Sequence, residues 1–175
     1  MSVPQPPRVT PVVTHVPEIT NFPQPSDFGA VPVRTEVRLR VRPSTAVRCP
    51  VDGAWWPRSH EPTAEFPGLI LAMSSWVGPV RRVDYSLDDW SPTTQSLTVE
   101  GWLVSLAGSS MLQRNTVAVT GTNQRQMCLL VIPPGTPGDV ARAVLHLTAG
   151  SHAVGTVAEI FADHGIVQDS PHPHL

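Results

Sequence analysis

From residue 33 to residue 42 the chain alternates strictly. Val33, Thr35, Val37, Leu39 and Val41 take one side, and Arg34, Glu36, Arg38, Arg40 and Arg42 take the other. A period of two is that of a half-buried antiparallel strand with aliphatics inward and arginines outward. Pro43 ends it. A second short strand is expected within 51–58, where Asp52-Gly53 reads as a turn, Trp55 and Trp56 favour extended chain and Pro57 stops it. The period then lengthens. Phe66, Leu69, Ile70, Met73, Trp76 and Val77 form one apolar stripe of a helix, with Pro67 in its first turn and Gly78-Pro79 at its end.

Beyond the helix, 80–87 reads as a strand with Val83, Tyr85 and Leu87 on one side, closed by a turn over 88–92. Residues 97–106 read as one strand. Residues 115–122 and 126–132 form a hairpin through the turn residues 121–125. The run 128–132 is apolar on both faces, which places it centrally with a layer packed on each side. A second helix starts at Gly138-Asp139, carries Val140, Ala143, Val144 and Leu147 on one side and closes at Gly150. A third is announced by Thr156 and Glu159 at capping-box spacing and ends before Gly165. Strands in succession with helices segregated predict an α+β fold, an antiparallel sheet of about five to six strands with two to three helices packed on it, and not a doubly wound one.

Composition divides the chain. Eight of its 20 prolines fall in the first 32 residues, so 1–33 is expected to be an extended or disordered leader. Residues 34–167 suffice for a single domain with one core, and 168–175, with Pro171 and Pro173 between histidines, reads as a tail. The first seven residues have neither the basic nor the apolar region of a secretory signal. No apolar run approaches the ~18 residues of a membrane span. A cytoplasmic protein without a membrane partner is the expectation.

The segment Asp52-Gly53-Ala54-Trp55-Trp56-Pro57-Arg58-Ser59, with the strand over 38–41, Val83-Asp84-Tyr85, Trp90-Ser91-Pro92 and the run 129–134, resembles an actinobacterial family of small proteins catalogued only as a domain of unknown function. The resemblance spans about 34–161. It implies a high-GC actinobacterial source, in keeping with a chain whose twelve basic residues are all arginine. It supplies no activity and no catalytic residue.

The chemistry is sparse. There is no phosphate-binding glycine loop, nucleophile elbow or dinucleotide fingerprint. His60-Glu61 opens like a zinc-protease motif, but Ala64 stands where the second histidine is needed. Cys49 and Cys128 are too far apart in sequence for a Cys-x-x-Cys site, and Cys128 reads as a small buried hydrophobe. His172 and His174 are a lone pair in a tail. No cofactor, metal site or catalytic set is expected. Asp84, Asp88 and Asp89, beside Arg81 and Arg82, read as self-paired surface charge.

The arginines carry the sharpest signal. Residues 34–48 hold five arginines against Glu36, a charge of +4, whereas 49–167 hold six arginines against ten acids, a charge of −4. Arg34, Arg38, Arg40 and Arg42 on one sheet face either form a solvated row paired with Asp84, Asp88, Asp89 or Glu100, or present forks spaced for phosphates or carboxylates. Trp55 and Trp56, adjacent on a strand, point to opposite faces, one into the core and one partly exposed beside Arg58. The leading expectation is a non-enzymatic regulatory or interaction module that docks a protein partner or a second copy through its charged face. One alternative is a nucleic-acid or ribosome-associated protein using the 34–42 face with Trp56. Another is a small-ligand binder or enzyme with a pocket near Trp55, Arg58, Asp84 and Tyr85.

Overall fold

The computed structural model describes residues 36–42, 51–150 and 156–167. Strand β1 (Leu39–Val41) pairs antiparallel with β2 (Gly53–Trp55), and Val37, Leu39 and Val41 point inward as their alternation requires. Gly53 serves close approach and not the expected turn. A Cβ there would run into the carbonyl of Arg40, so only glycine lets β1 and β2 pair at this register. Asp52 joins strands as well: its backbone N–H donates to the Cys128 carbonyl at 2.6 Å, and its carboxylate accepts from the Cys128 N–H at 2.8 Å.

Helix α1 (Pro62–Val77) buries Phe66, Leu69, Ile70, Met73 and Val77 as predicted, whereas Trp76 is exposed. It begins a turn early. Pro62 occupies its first position, which leaves Pro67 inside the helix, where its missing N–H deprives the Thr63 carbonyl of a partner. Strand β3 (Val80–Ser86) leaves α1 through Gly78, which has φ 75°. The single strand expected over 97–106 is two, β4 (Ser96–Val99) and β5 (Trp102–Ser109), joined at Glu100 and Gly101. Both joining residues take positive φ, 49° and 83°, as a two-residue hairpin demands. Glutamate is an uncommon choice there, and it hid the turn. Strands β6 (Thr116–Gly121) and β7 (Gln126–Val131) form the predicted hairpin.

Over the described residues the fold is α+β with three helices on a seven-stranded mixed sheet, ordered β1-β2-β7-β6-β3-β5-β4. The expectation of an antiparallel sheet of five to six strands is corrected at two pairings. β2 and β7 run parallel, and so do β3 and β5. The second follows from the β4–β5 hairpin, because β5 inserts between β3 and β4 and must then run in the direction of β3. Helix α1 covers one face, where Trp55, Val83, Val117, Val119, Leu129 and Val131 form the main core. Helices α2 (Gly138–Ala149) and α3 (Val157–Asp163) cover only the β1-β2-β7 end of the other face, over Ala54, Trp56, Leu130 and Ile132. The two clusters meet across β7, the strand whose sequence is apolar on both sides.

The α3 capping box forms as predicted. The Thr156 side chain accepts from the Glu159 N–H, and the Glu159 carboxylate accepts from the Thr156 N–H at 2.6 Å. Residues 1–33 and 168–175, expected as leader and tail, lie outside the described residues, as do Arg34 and Cys49. None of the helices among the described residues is long and apolar enough to cross a membrane.

Two predictions follow from these contacts. Gly53→Ala should lower stability by about 2 kcal/mol, since the clash is with backbone that cannot rotate away, read as a fall of several degrees in thermal midpoint. The hydrogen bonds from Thr156 hold the Glu159 carboxyl below its usual range. A carboxylate depressed in the folded state stabilises above its unfolded pKa, and that contribution is lost as pH falls through the folded value. The stability gap between wild type and Glu159→Gln should therefore be present at pH 7 and close on acidification below about pH 4.

Candidate binding face

The β1 alternation sends Arg38, Arg40 and Arg42 to the face that α2 and α3 cover, and the expected open row does not form. The Arg38 guanidinium carbon sits 3.5 Å from the ring centre of Trp56, while Nε donates to the Trp56 carbonyl at 3.0 Å and Nη2 to the Pro57 carbonyl at 2.7 Å. Burial, and then the nearby charge of Arg58, lower its pKa. Arg42 is 6% exposed, and its Nε and Nη2 both reach the Thr148 carbonyl at 3.4 Å, placing a cation on the C-terminal turn of α2. Arg40 is exposed, and Arg58, also exposed, donates to the Glu36 carbonyl at 3.2 Å. The row thus divides into two arginines that bind the protein to itself and one that faces solvent. None of the ion pairs among the described residues joins these arginines to Asp84, Asp89 or Glu100.

Trp55 and Trp56 do face opposite ways, but both are buried, because helices cover both faces at this end of the sheet. Trp55 stacks on Trp90 with centroids 5.4 Å apart and tilts against Phe66. Tyr85 packs edge-on to the same Phe66. The space beside Trp55 and Tyr85 is therefore filled core, and Asp84, between two core-facing residues of β3, projects from the other face. The pocket expected among Trp55, Arg58, Asp84 and Tyr85 is absent among the described residues.

Of the acidic cluster, Asp84 pairs with Arg82 as expected, but Asp89 is 3% exposed. Its carboxylate accepts from Arg114 Nε at 3.2 Å and from the Asn115 N–H at 2.5 Å, and its carbonyl lies 2.8 Å from His60 Nδ1. A carbonyl can only accept, so Nδ1 carries the proton and, in the neutral ring, Nε2 the lone pair. Arg114 Nη2 and Asn115 Oδ1 of its two partners, and Ser86 Oγ and Trp90 Nε1 nearby in sequence, are buried without protein partners. Sequence reading placed Asp89 at the surface. The missed signal is its position before Trp90, where strand β3 turns down into the core.

The half of that second face left bare by α2 and α3 is concave. A groove of about 670 Å³ runs over β3, β5 and β6 and the end of β7, with Arg81, Arg82, Asp84, Gln124 and Gln126 at its polar end and Met111 and Leu112 at the other. Arg82 is clamped on Asp84 by Nε at 2.8 and 3.0 Å and Nη2 at 2.6 Å, and Arg81 Nη2 donates to Gln124 Oε1 at 3.0 Å. The hydrogen bond and charge of Asp84 raise the pKa of Arg82. Asp84 stands in register between Ala107 and Ala118 on the neighbouring strands, and the floor around it is otherwise small, with Gly108 and Thr120. This arrangement presents donors and acceptors fixed by their own neighbours. Cys128 lies on this face of β7, packed against the α2–α3 cluster. Burial, and then the charge of Asp52, push its pKa up to about 11, which keeps it protonated at neutral pH. Among the described residues no three His, Cys, Asp or Glu side chains converge as metal ligands.

A family model described as "Family of unknown function (DUF5994)" matches residues 38–148, from β1 to the last turn of α2. The chain belongs to that family. No curated protein and no solved structure matches it.

Asp89→Ala should cost about 2–3 kcal/mol, because it leaves the buried Asn115 N–H and the Arg114 guanidinium without their acceptor. Asp89→Asn keeps an acceptor and should cost less. Urea unfolding of the two variants checks both the size and the order.

Proposed function

We propose that this DUF5994 protein is a non-enzymatic binding module that docks a protein partner on the bare half of its sheet. The observation that carries this reading is the uneven cover of the second face. Two helices close one end, and the other end is left as a groove whose charged groups are held in place by their own neighbours. Pre-fixed donors and acceptors over a small-residue floor suit the recognition of another chain, since little side-chain freedom is lost on contact. Such a module needs no cofactor and no metal. A nucleic-acid reading on Arg34, Arg38, Arg40 and Arg42 has less support, because Arg38 and Arg42 already donate to carbonyls of the chain itself. Arg40 and Arg58 are the exposed cations left to it among the described residues.

Ala107→Trp tests the proposal by filling the groove from its floor without touching either core. Wild-type and variant chains carrying the same tag are incubated with extract of the source cells at low and high salt. A partner retained by the wild type, weakened by salt and lost in the variant is the expected outcome. Recovery of no partner, or of one that Ala107→Trp still holds, overturns it.

A further inference from the structure

The sheet has two outer edges, and they are built differently. β1 spans three residues, includes exposed Arg40 and is flanked by arginines, which is how natural edges resist pairing with another strand. β4, at the other edge, is also short, at four residues, but it carries no charge. From Trp90 to Val99 there is no charged residue, and Ser96–Val99 contains no proline. The Leu106 N–H donates to the Gln95 carbonyl at 2.8 Å. By antiparallel alternation residues 95, 97 and 99 therefore turn their backbone groups toward β5, and Ser96 and Thr98 turn theirs outward. Among the described residues no strand pairs with that outer side. Immediately behind it, Trp102 is 69% exposed and Leu103 is 71% exposed, on opposite faces of the sheet. Beside Trp102 a groove of about 280 Å³ lined by Leu71, Val99 and Val104 opens against α1.

We propose that β4 pairs antiparallel with β4 of a second copy of this chain, joining two seven-stranded sheets about a two-fold axis. The outward residues select the register. Ser96 opposite Thr98 of the second copy, and the reverse, gives about four backbone hydrogen bonds, the Ser96 carbonyl accepting there with the lone pair left by its 2.8 Å bond from Thr94 Oγ1. That register sets Leu97 against Leu97 of the second copy on the α1 side, next to the exposed Trp102. The occupant follows from charge and from symmetry. A neutral strand meets no like charge when set against itself, and the α1 face of the joint brings Leu97 of each copy to the axis while the other face sets Ser96 beside Thr98. The apolar surface available at Trp102, Leu103 and Leu97 is on the order of 300 Å² per copy. A standard interface buries about 800 Å² per partner, so this dimer is reversible, with dissociation in the micromolar range. The groove reaches β5 only at Ala107, Gly108 and Ser109, beyond the residues paired with β4, and the dimer does not rest on its reading.

Sedimentation equilibrium of the full chain from about 1 to 500 μM provides the test. The wild type should pass from the 18.9 kDa monomer toward twice that mass. Thr98→Pro removes an outward N–H and leaves the β4–β5 hydrogen bonds in place. Thr98→Lys sets like charges diagonally across the joint. Each should raise the dissociation constant at least tenfold with an unchanged thermal midpoint, while Ala107→Trp should leave it unchanged. Should Thr98→Pro unfold, Thr98→Lys decides alone. A wild type monomeric throughout, or a dimer that folded Thr98 variants leave intact, overturns the proposal.

Discussion

Two tryptophans in succession on one strand must send their rings to opposite faces of the sheet, and the rest of the structure is arranged around that constraint. Trp55 goes to the α1 side, stacks on Trp90 and meets Phe66. Trp56 goes to the other side, where Ala54, Leu130 and Ile132 make a floor for α2 and α3. A strand carrying a large apolar ring on each face has to be covered on both, and β2 is so covered along with its parallel neighbour β7. The remaining helical material covers only one face of the strands farther out. The bare groove follows from this unequal cover.

The same constraint accounts for the fate of the arginines. With Trp56 and α2 on their side of the sheet, Arg38 and Arg42 find a π-face and three carbonyls instead of water. Each fork satisfies carbonyls that would otherwise lose solvent without a donor, and Arg42 neutralises the end of a helix. Arginine suits both tasks because its delocalised charge is weakly hydrated and it keeps its proton even when partly buried. Of the basic segment's described arginines, two serve as internal fastening and Arg40 faces solvent. Further exposed charges lie on β3 and in the β6–β7 turn, where the sequence is less conspicuous.

Polar burial elsewhere follows another logic. Asp89 closes the turn after β3 by binding Arg114 and the Asn115 N–H, which holds the entry to β6 against the end of β3. Asn115 adopts φ 57° there, a conformation asparagine tolerates better than most residues. Carboxylate and turn stabilise each other.

Short-range pattern carried much of the fold. The helix stripes, the β6–β7 hairpin, the double-sided β7 and the α3 capping box could all be read because each depends on residues within one or two turns of one another. The division of 97–106 was concealed by a glutamate at positive φ. The parallel pairings were beyond local reading because strand direction depends on which strands insert between which. The candidate face was legible only as chemistry. That Trp55 and Trp56 oppose each other, and that β1 has an arginine side, are consequences of period two. Whether those arginines meet water, a ring or a helix end depends on where α2 comes to rest, roughly a hundred residues along the chain. Alternation decides which side a residue takes, but only the packing of distant elements decides what waits there.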